Sequence, residues 1–349
     1  MKKPYGIISD THHHSWTAFA TTLPNGVNSR LQQTLDETLR CAMEVGKAGG
    51  DTLVHGGDLF HVRGSVAPSV LNPTLALYKK LGEMGFKIVI NAGNHDLEGR
   101  DANDLGSAIT ALKEVGCVVV NEPLVFEDAG LMLVPYIGKV ADLKVELDKT
   151  HTRDVSKFDL ILHAGIDGVI KGLPDHGLDA DYLAKLGFAR VFSGHYHHHK
   201  ELVREKVWSI GALTQQTWGD IGTKAGFLVV YPEGQVRYSA SHAPNFVEID
   251  GTTDPDDIPL IVDGNYVRAK ITSSKPKEID ELRNFLMTSG AKGVNIISQP
   301  STGVTRTAST VTAGASIETS VSDFIKAGSW GNPMHLTALC GDILKEAQA

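Results

Sequence analysis

Five short apolar runs in this chain each stop at a turn rich in metal-type ligands, and no other feature constrains the fold as tightly. The runs at 5–9, 52–55, 87–91, 159–162 and 190–192 read as strands. They end in SDTH (9–12), GGD (56–58), GNHD (93–96), His163 of HAGIDG, and GHYH (194–197). The stretches between them carry helical spacing. Leu31, Leu35, Leu39 and Met43 repeat with a helical period within 28–48, a proline opens a second helix at 73–83, and 108–114 predicts a third. Alternating strands and helices predict a layered α/β domain with a mixed sheet or two stacked sheets. In such folds ligand sites gather at the carboxyl ends of strands, where the loops converge.

From 207 to 240 the pattern becomes β-rich, broken at Pro232, Glu233 and Gly234. GTTDPDDIP at 251–259 reads as a linker, and 349 residues suit two domains, placed here at 1–248 and 249–349. The second would hold a strand at 265–271, a helix at 277–287 and a strand at 292–298, a small α+β unit. The Ser/Thr/Gly/Ala-rich stretch 301–316 predicts a flexible loop, and a helix at 336–346 closes the chain.

Composition excludes some classes. No run of about 18 apolar residues is present, so no membrane span is expected. No apolar leader with a small-residue cleavage site opens the sequence, and Cys41, Cys117 and Cys340 are scattered thiols without metal-type spacing, which together point to the cytoplasm. The net charge of −8 argues against a broad positive coat for capturing nucleic acid, although bound divalent cations would offset part of it. There is no GxSxG elbow and no GxxxxGK[ST] loop, so neither serine-nucleophile chemistry nor ATP hydrolysis by this chain is expected.

The ligand types narrow the chemistry. An Asp-x-His or a Gly-Gly-Asp alone arises by chance, and Asp58 alone could cap a turn. The ordered set of five, each at a strand end, carries the signal. Mixed oxygen and imidazole donors suit manganese, iron or zinc better than calcium. A shared carboxylate, with about 3.5–4 Å between ions, would make a two-metal centre for in-line attack on phosphorus.

These five blocks resemble the calcineurin-like metallophosphoesterase superfamily over roughly residues 4–245, which implies two β-sheets flanked by helices and a small α+β cap. The resemblance implies that Asp10, His12 and His197 hold one metal and that Asn94, His163 and His195 hold the other, with Asp58 bridging. It implies two divalent ions, with Mn2+ preferred over Fe, Zn or Mg. His95 is then the general acid at the leaving oxygen, held by Asp96 through its other ring nitrogen. GGDLFH (56–61), RGSVAPS (63–69) and the stretch from VWSIGALTQQTWGD to KAGFLVVYPEGQV (207–236) are similar to the SbcD-type double-strand-break repair nucleases. That branch implies a metal-dependent DNA exo- or endonuclease, with His61 touching the DNA path, a cap that helps hold DNA, and an SbcC-type ATPase partner. Arg268, Lys270, Lys275 and Lys277 are the phosphate-gripping candidates of the cap. A homodimer is a further expected partner state.

His13 and His14 replace the apolar residue usual after the Asp-x-His block. With His198 and His199 they lie in runs and are not expected as ligands; His55 is expected to support the site from the core. Trp208 and Trp218 are expected to pack internally rather than stack on bases. Two alternatives stay open: a phosphomonoesterase or small-substrate phosphodiesterase on the same fold, and a non-catalytic scaffold derived from it.

Overall fold

Strands buried on both faces need a packed layer on each side, and here that requirement produces four layers. The computed structural model describes residues 2–99, 105–298, 316–328 and 331–348. Its strands are β1 (Tyr5–Ile8), β2 (Thr52–His55), β3 (Lys87–Asn91), β4 (Val118–Val120), β5 (Leu124–Phe126), β6 (Leu131–Val134), β7 (Asp159–His163), β8 (Arg190–Gly194), β9 (Lys200–Val203), β10 (Val207–Ser209), β11 (Gly226–Val230), β12 (Val236–Ala240), β13 (Phe246–Ile249), β14 (Tyr266–Ile271) and β15 (Gly293–Ser298). The α-helices are α1 (Ser29–Lys47), α2 (Pro68–Glu83), α3 (Val140–Asp148), α4 (Ala180–Lys185), α5 (Ile258–Val262), α6 (Pro276–Thr288), α7 (Ile317–Ala327) and α8 (Pro333–Gln348). The loop expected at 301–316 lies outside the described residues except for Ser316.

Two six-stranded sheets form, ordered β12-β11-β1-β2-β3-β4 and β5-β6-β7-β8-β10-β9, and a three-stranded sheet is ordered β13-β14-β15. Neighbouring residues along each central strand face opposite layers. Ile8, Leu53 and Ile88 pack with Leu31, Leu35 and Tyr78 of α1 and α2. Their neighbours Ile7, Val54 and Val89 meet Leu133, Ile161, Phe192 and Trp208 between the sheets. Leu160, Leu162 and Val191 pack outward against Leu143 and Leu147 of α3 and Leu183 of α4. The expected fold class is thus observed. Among the described residues no helix is long and apolar enough to cross a membrane.

The second helix starts earlier than its periodicity predicts. Pro68, not Pro73, takes the first turn, and Pro73 lies inside the helix. The cost is contained, because the missing amide deprives only the exposed Ser69 carbonyl of its helical partner.

The chain divides into two compact units, Met1–Ala269 with Glu281–Ile296, and Lys270–Asp280 with Ile297–Ala349. In the first, β13 pairs in parallel with β14, and Ile249, Val262, Val267, Ala269 and Leu286 form a small core of their own. In the second, α7 packs on α8, and Ser316 caps α7 by accepting from the Thr319 N–H at 3.2 Å.

At the amino ends of the central strands a buried polar cluster ties the two large sheets. Arg190 of β8 donates through Nε and Nη2 to both oxygens of Asp159 on β7, each at 2.7 Å. The Tyr5 hydroxyl of β1 donates to the same carboxylate at 2.7 Å. Asp159→Ala would leave Arg190 buried without its counter-charge, so we expect a loss of about 3–5 kcal/mol of stability. Denaturant unfolding of the variant against the wild type, with loss well under 1 kcal/mol, would show that the cluster is not a tie.

Candidate metal centre

Parallel strands deliver their following loops to one end of a sheet, so β1, β2 and β3 of the first sheet and β7 and β8 of the second end side by side. The turns they enter are held in unusual backbone conformations. Asp10 (φ 50°), His12 (φ 42°), Asp58 (φ 56°) and His195 (φ 96°) are all left-handed, a region costly for residues with a Cβ and concentrated at functional sites. The turns brace one another: Asp10 N–H donates to the Gly57 carbonyl at 3.0 Å, and His12 N–H donates to the Asp58 carbonyl at 3.1 Å. The His195 N–H donates to the Asp10 carboxylate at 3.1 Å. Two glycines permit this approach. A Cβ on Gly57 (φ 112°) would lie 2.3 Å from His163 Nδ1, and one on Gly93 would lie 2.2 Å from Asp58 Oδ1.

The side chains converge. Asp10, His12 and His197 form one group whose ligand atoms lie within 4.8 Å of one another, and Asp58, His163 and His195 form a second. Asn94 Oδ1 stands 2.9 Å from His195 Nδ1 and 3.2 Å from His163 Nε2. Asp58 Oδ2 lies 3.4 Å from His163 Nε2 and 3.7 Å from His12 Nε2, reaching toward both groups. His12 and His197 bring their Nε2 atoms to 3.2 Å.

The far side of each ring shows what these contacts require. His163 Nδ1 donates to the Gly56 carbonyl at 2.9 Å, since a carbonyl can only accept. Its Nε2, when neutral, turns a lone pair toward the oxygens of Asp58 and Asn94. His197 Nδ1 meets Asp220 Oδ1 at 2.7 Å, and its Nε2 likewise faces His12. Lone pairs packed this closely repel unless a proton or a cation sits among them. Burial opposes charge on His163, but the Asp58 carboxylate outweighs it and raises the imidazole pKa, which favours a proton there. Asp58 is correspondingly held well below the usual carboxylate range, burial being overcome by His163. Donor chemistry and geometry therefore fit divalent ions. The calcineurin-like phosphoesterase family matches residues 3–199, more than half of the chain.

The chain belongs to that family. Its members typically bind two divalent metals, and the two Asp/His groups agree with this. Among solved structures, the chain is similar to the Pseudomonas putida nuclease MPE (17% identity, covering 67% of this chain and 87% of that one, TM-score 0.31). It is also similar to TT1561 of Thermus thermophilus (11%, 69% and 100%, TM-score 0.43). A third is a dimetal phosphatase from Danio rerio (9%, 66% and 92%, TM-score 0.38). No curated protein matches the chain.

One assignment needs correction. Asp96 does not hold the His95 ring. Its carboxylate accepts backbone N–H groups from Phe60 (2.9 Å), Gly93 (2.9 Å) and Leu59 (3.3 Å), clamping the second and third turns together. The His95 ring instead donates from Nδ1 to the His61 carbonyl at 2.6 Å, while its backbone N–H donates to Asp58 Oδ1 at 2.8 Å. A helical-type turn over 94–96 points the Asp96 side chain back to its own N-terminus, as a capping carboxylate does.

The phosphoesterase site gathers residues that sequence patterning left unassigned. Asp220 orients His197 and accepts the Gln216 and Thr217 N–H groups at 2.8 Å each; the Thr-x-x-Asp capping box at 217–220 is its only sequence signal. Gln216 donates to the Asp10 carbonyl at 2.6 Å. Trp16 packs 4.7 Å from the half-buried His61 ring, under the Arg30 guanidinium at 4.8 Å. His61 itself lies near-parallel to His95 at 5.6 Å, with its Nδ1 3.3 Å from His12 Nδ1.

The other histidines lie apart from the two groups. His55 accepts from the Gly57 N–H at Nδ1 and meets Thr11 Oγ1 at Nε2, and burial lowers its pKa to about 3. His198 accepts from the Lys224 N–H, and His199 stacks on Tyr238 at 4.4 Å. Trp208 is core, stacked on Phe192, while Trp218 packs against Phe246. Arg268 is tied to Glu248 at 2.5 Å and lies over Trp218 at 4.8 Å, so it is engaged rather than extended for phosphate. Lys275 pairs with Glu278 at 2.8 Å.

Carboxylates that orient a ligating histidine typically contribute 10–100-fold in metal affinity. Asp220→Asn should weaken metal binding by about that factor while the far-UV spectrum is retained. Competition with a fluorescent chelator measures it; unchanged affinity would leave Asp220 a capping residue only.

Proposed function

We propose that the chain is a metal-dependent phosphodiesterase that cleaves DNA, in the manner of the SbcD-type nucleases that its sequence resembles. The observation that carries the hydrolase reading is the pair of Asp/His groups meeting at the Asp58 carboxylate. Asp10, His12 and His197 would hold one divalent ion; Asn94, His163 and His195 would hold the other; and Asp58 would bridge, with Mn2+ the expected metal. Bound there, the ions would polarise the phosphoryl oxygens and lower the pKa of a water.

The chain's own groups supply the rest. His95 keeps Nδ1 on the His61 carbonyl, which leaves Nε2 as the position from which a proton can pass to the leaving oxygen. Because Asp58 accepts the His95 backbone N–H, the acid and the bridging carboxylate are fixed in register. His61, half-buried beside His12 and His95, is suited to contact the substrate strand as it approaches the reacting phosphorus. The DNA assignment rests on the GGDLFH and 207–236 similarity, supported by the aromatic rim of His14, Trp16 and His61 beside the ligands.

Hydrolysis of duplex and single-stranded DNA, bis-p-nitrophenyl phosphate and p-nitrophenyl phosphate, with Mn2+ and with chelator, tests this directly. Diester and DNA cleavage that chelator abolishes is expected; a preference for the monoester would favour a small-substrate phosphatase. Two variants separate binding from chemistry. Asp58→Asn should lower the occupancy of both metals, and two full equivalents in that variant would remove the bridging role. His95→Ala should keep both metals and lose about 10²–10⁴ in rate, with a smaller loss on p-nitrophenol esters, whose leaving group needs no proton. Loss of a metal from that variant would make His95 a ligand.

A further inference from the structure

The run GHYHHHK at 194–200 supplies His195 and His197 to the two ligand groups, and the proposed chemistry leaves its last three residues without a task. Hydrogen bonds sort those three. His199 is structural: its Nδ1 donates to the Ile210 carbonyl at 3.1 Å, and its ring stacks on Tyr238. His198 is held differently. The Lys224 backbone N–H, which can only donate, meets His198 Nδ1 at 3.2 Å. Nδ1 is therefore the lone-pair nitrogen, and the ring proton sits on Nε2. The His199 N–H donates in turn to the Lys224 carbonyl at 3.3 Å, which zips the two segments together. The His198 ring is half-buried, and no protein acceptor meets its Nε2 among the described residues.

Two cations accompany that N–H. Lys200 lies two residues on, its ammonium donating to the Gly168 carbonyl at 2.7 Å, and Lys224 is exposed. Neither lysine forms an ion pair among the described residues. Both charges reach the His198 ring, since burial, Lys200 and Lys224 together lower its pKa. The ligands set the place. His198 directly follows His197, Gly168 lies in the loop that leaves His163, and Lys224 lies four residues beyond Asp220, which orients His197. Three donors therefore flank the metal centre from outside its ligand groups. They suit a partner that presents acceptors only. A phosphodiester does so, whereas a base edge would set some of its own N–H groups against them.

We propose that His198 Nε2, Lys200 and Lys224 bind the phosphate next to the scissile one on the substrate strand and hold that strand in register over the metals. The proposal rests on the nucleic-acid reading above and adds a second phosphate subsite to it. Phosphate contacts position a strand without reading its bases, so this subsite supplies register and not sequence preference.

Fluorescence anisotropy with Ca2+ as the only divalent ion, on strands checked afterwards for cleavage, tests the subsite. The probes are labelled thymidine ten-mers whose linkages are uncharged methylphosphonates, except for one phosphate, two adjacent phosphates, or two phosphates set well apart. The wild type should bind the adjacent pair about tenfold more tightly than either other strand, the usual effect of one charge-assisted hydrogen bond. Lys224→Gln removes a cation from an exposed side chain. His198→Asn keeps an oxygen acceptor for the Lys224 N–H and removes the outward donor. Each should bring the ratio close to one. On an all-phosphate ten-mer, Lys224→Gln should also flatten the slope of log K against log salt by about 0.7, whereas His198→Asn at pH 8 should leave that slope unchanged. A ratio near one in the wild type, or a ratio that survives both substitutions, overturns the subsite and leaves the phosphodiesterase reading standing. Failure of the wild type to bind any strand, the all-phosphate one included, removes both.

Discussion

Lone pairs crowded around the Asp58 carboxylate are the constraint from which the rest of this site follows. His163, His197 and His95 each anchor one ring nitrogen on a fixed acceptor, the Gly56 carbonyl, Asp220 and the His61 carbonyl in turn. The remaining nitrogens of His163 and His197 are thereby turned inward with Asn94 Oδ1 and Asp58 Oδ2. Such an arrangement is unstable by itself and stable around positive charge. The Asp58 carboxylate raises the His163 pKa, which favours a proton between them when no cation is bound. Metal binding would displace it, which couples loading to proton release.

Holding acceptors so close together demands rigid support, and the two-sheet sandwich provides it from both ends. At the amino ends Asp159 joins Arg190 and Tyr5. At the carboxyl ends Asn91 Nδ2 donates to the Val134 carbonyl, and His163 reaches Gly56, each linking one sheet to the other. Between these ties lies the apolar layer built on Ile7, Val54, Ile161 and Phe192. The strained turns at Asp10, His12, Asp58 and His195 persist because both sheets over-determine their positions.

Much of this is legible in the sequence. The long first helix runs from the Asn28 cap to Lys47 as its periodicity predicts, and the five ligand-bearing strand ends are the turns that the structure gathers. What escapes is non-local. The hairpin of β5 and β6 is too short to show a pattern, and β13 gains meaning only from pairing with β14. The start of the second helix is ambiguous in sequence because two prolines, Pro68 and Pro73, compete for one signal. Asp96 departs from expectation for a related reason: adjacency to His95 suggests a partner, whereas a short turn sends its carboxylate back to Gly93 and across to Phe60. Asp220 leaves only the local capping signal of Thr217–Asp220, and neither it nor Trp16 shows in its spacing the long-range approach to His197 or His61.

The central claim is that two ions share Asp58, and anomalous scattering from crystals grown with Mn2+ examines it most directly. The expected result is two peaks, one among Asp10, His12 and His197 and one among Asn94, His163 and His195, with the Asp58 carboxylate touching both. His12, His61 and His95 form a competing three-histidine group within the same reach. A single ion seated there, or one ion that leaves Asp58 uncoordinated, would contradict the account.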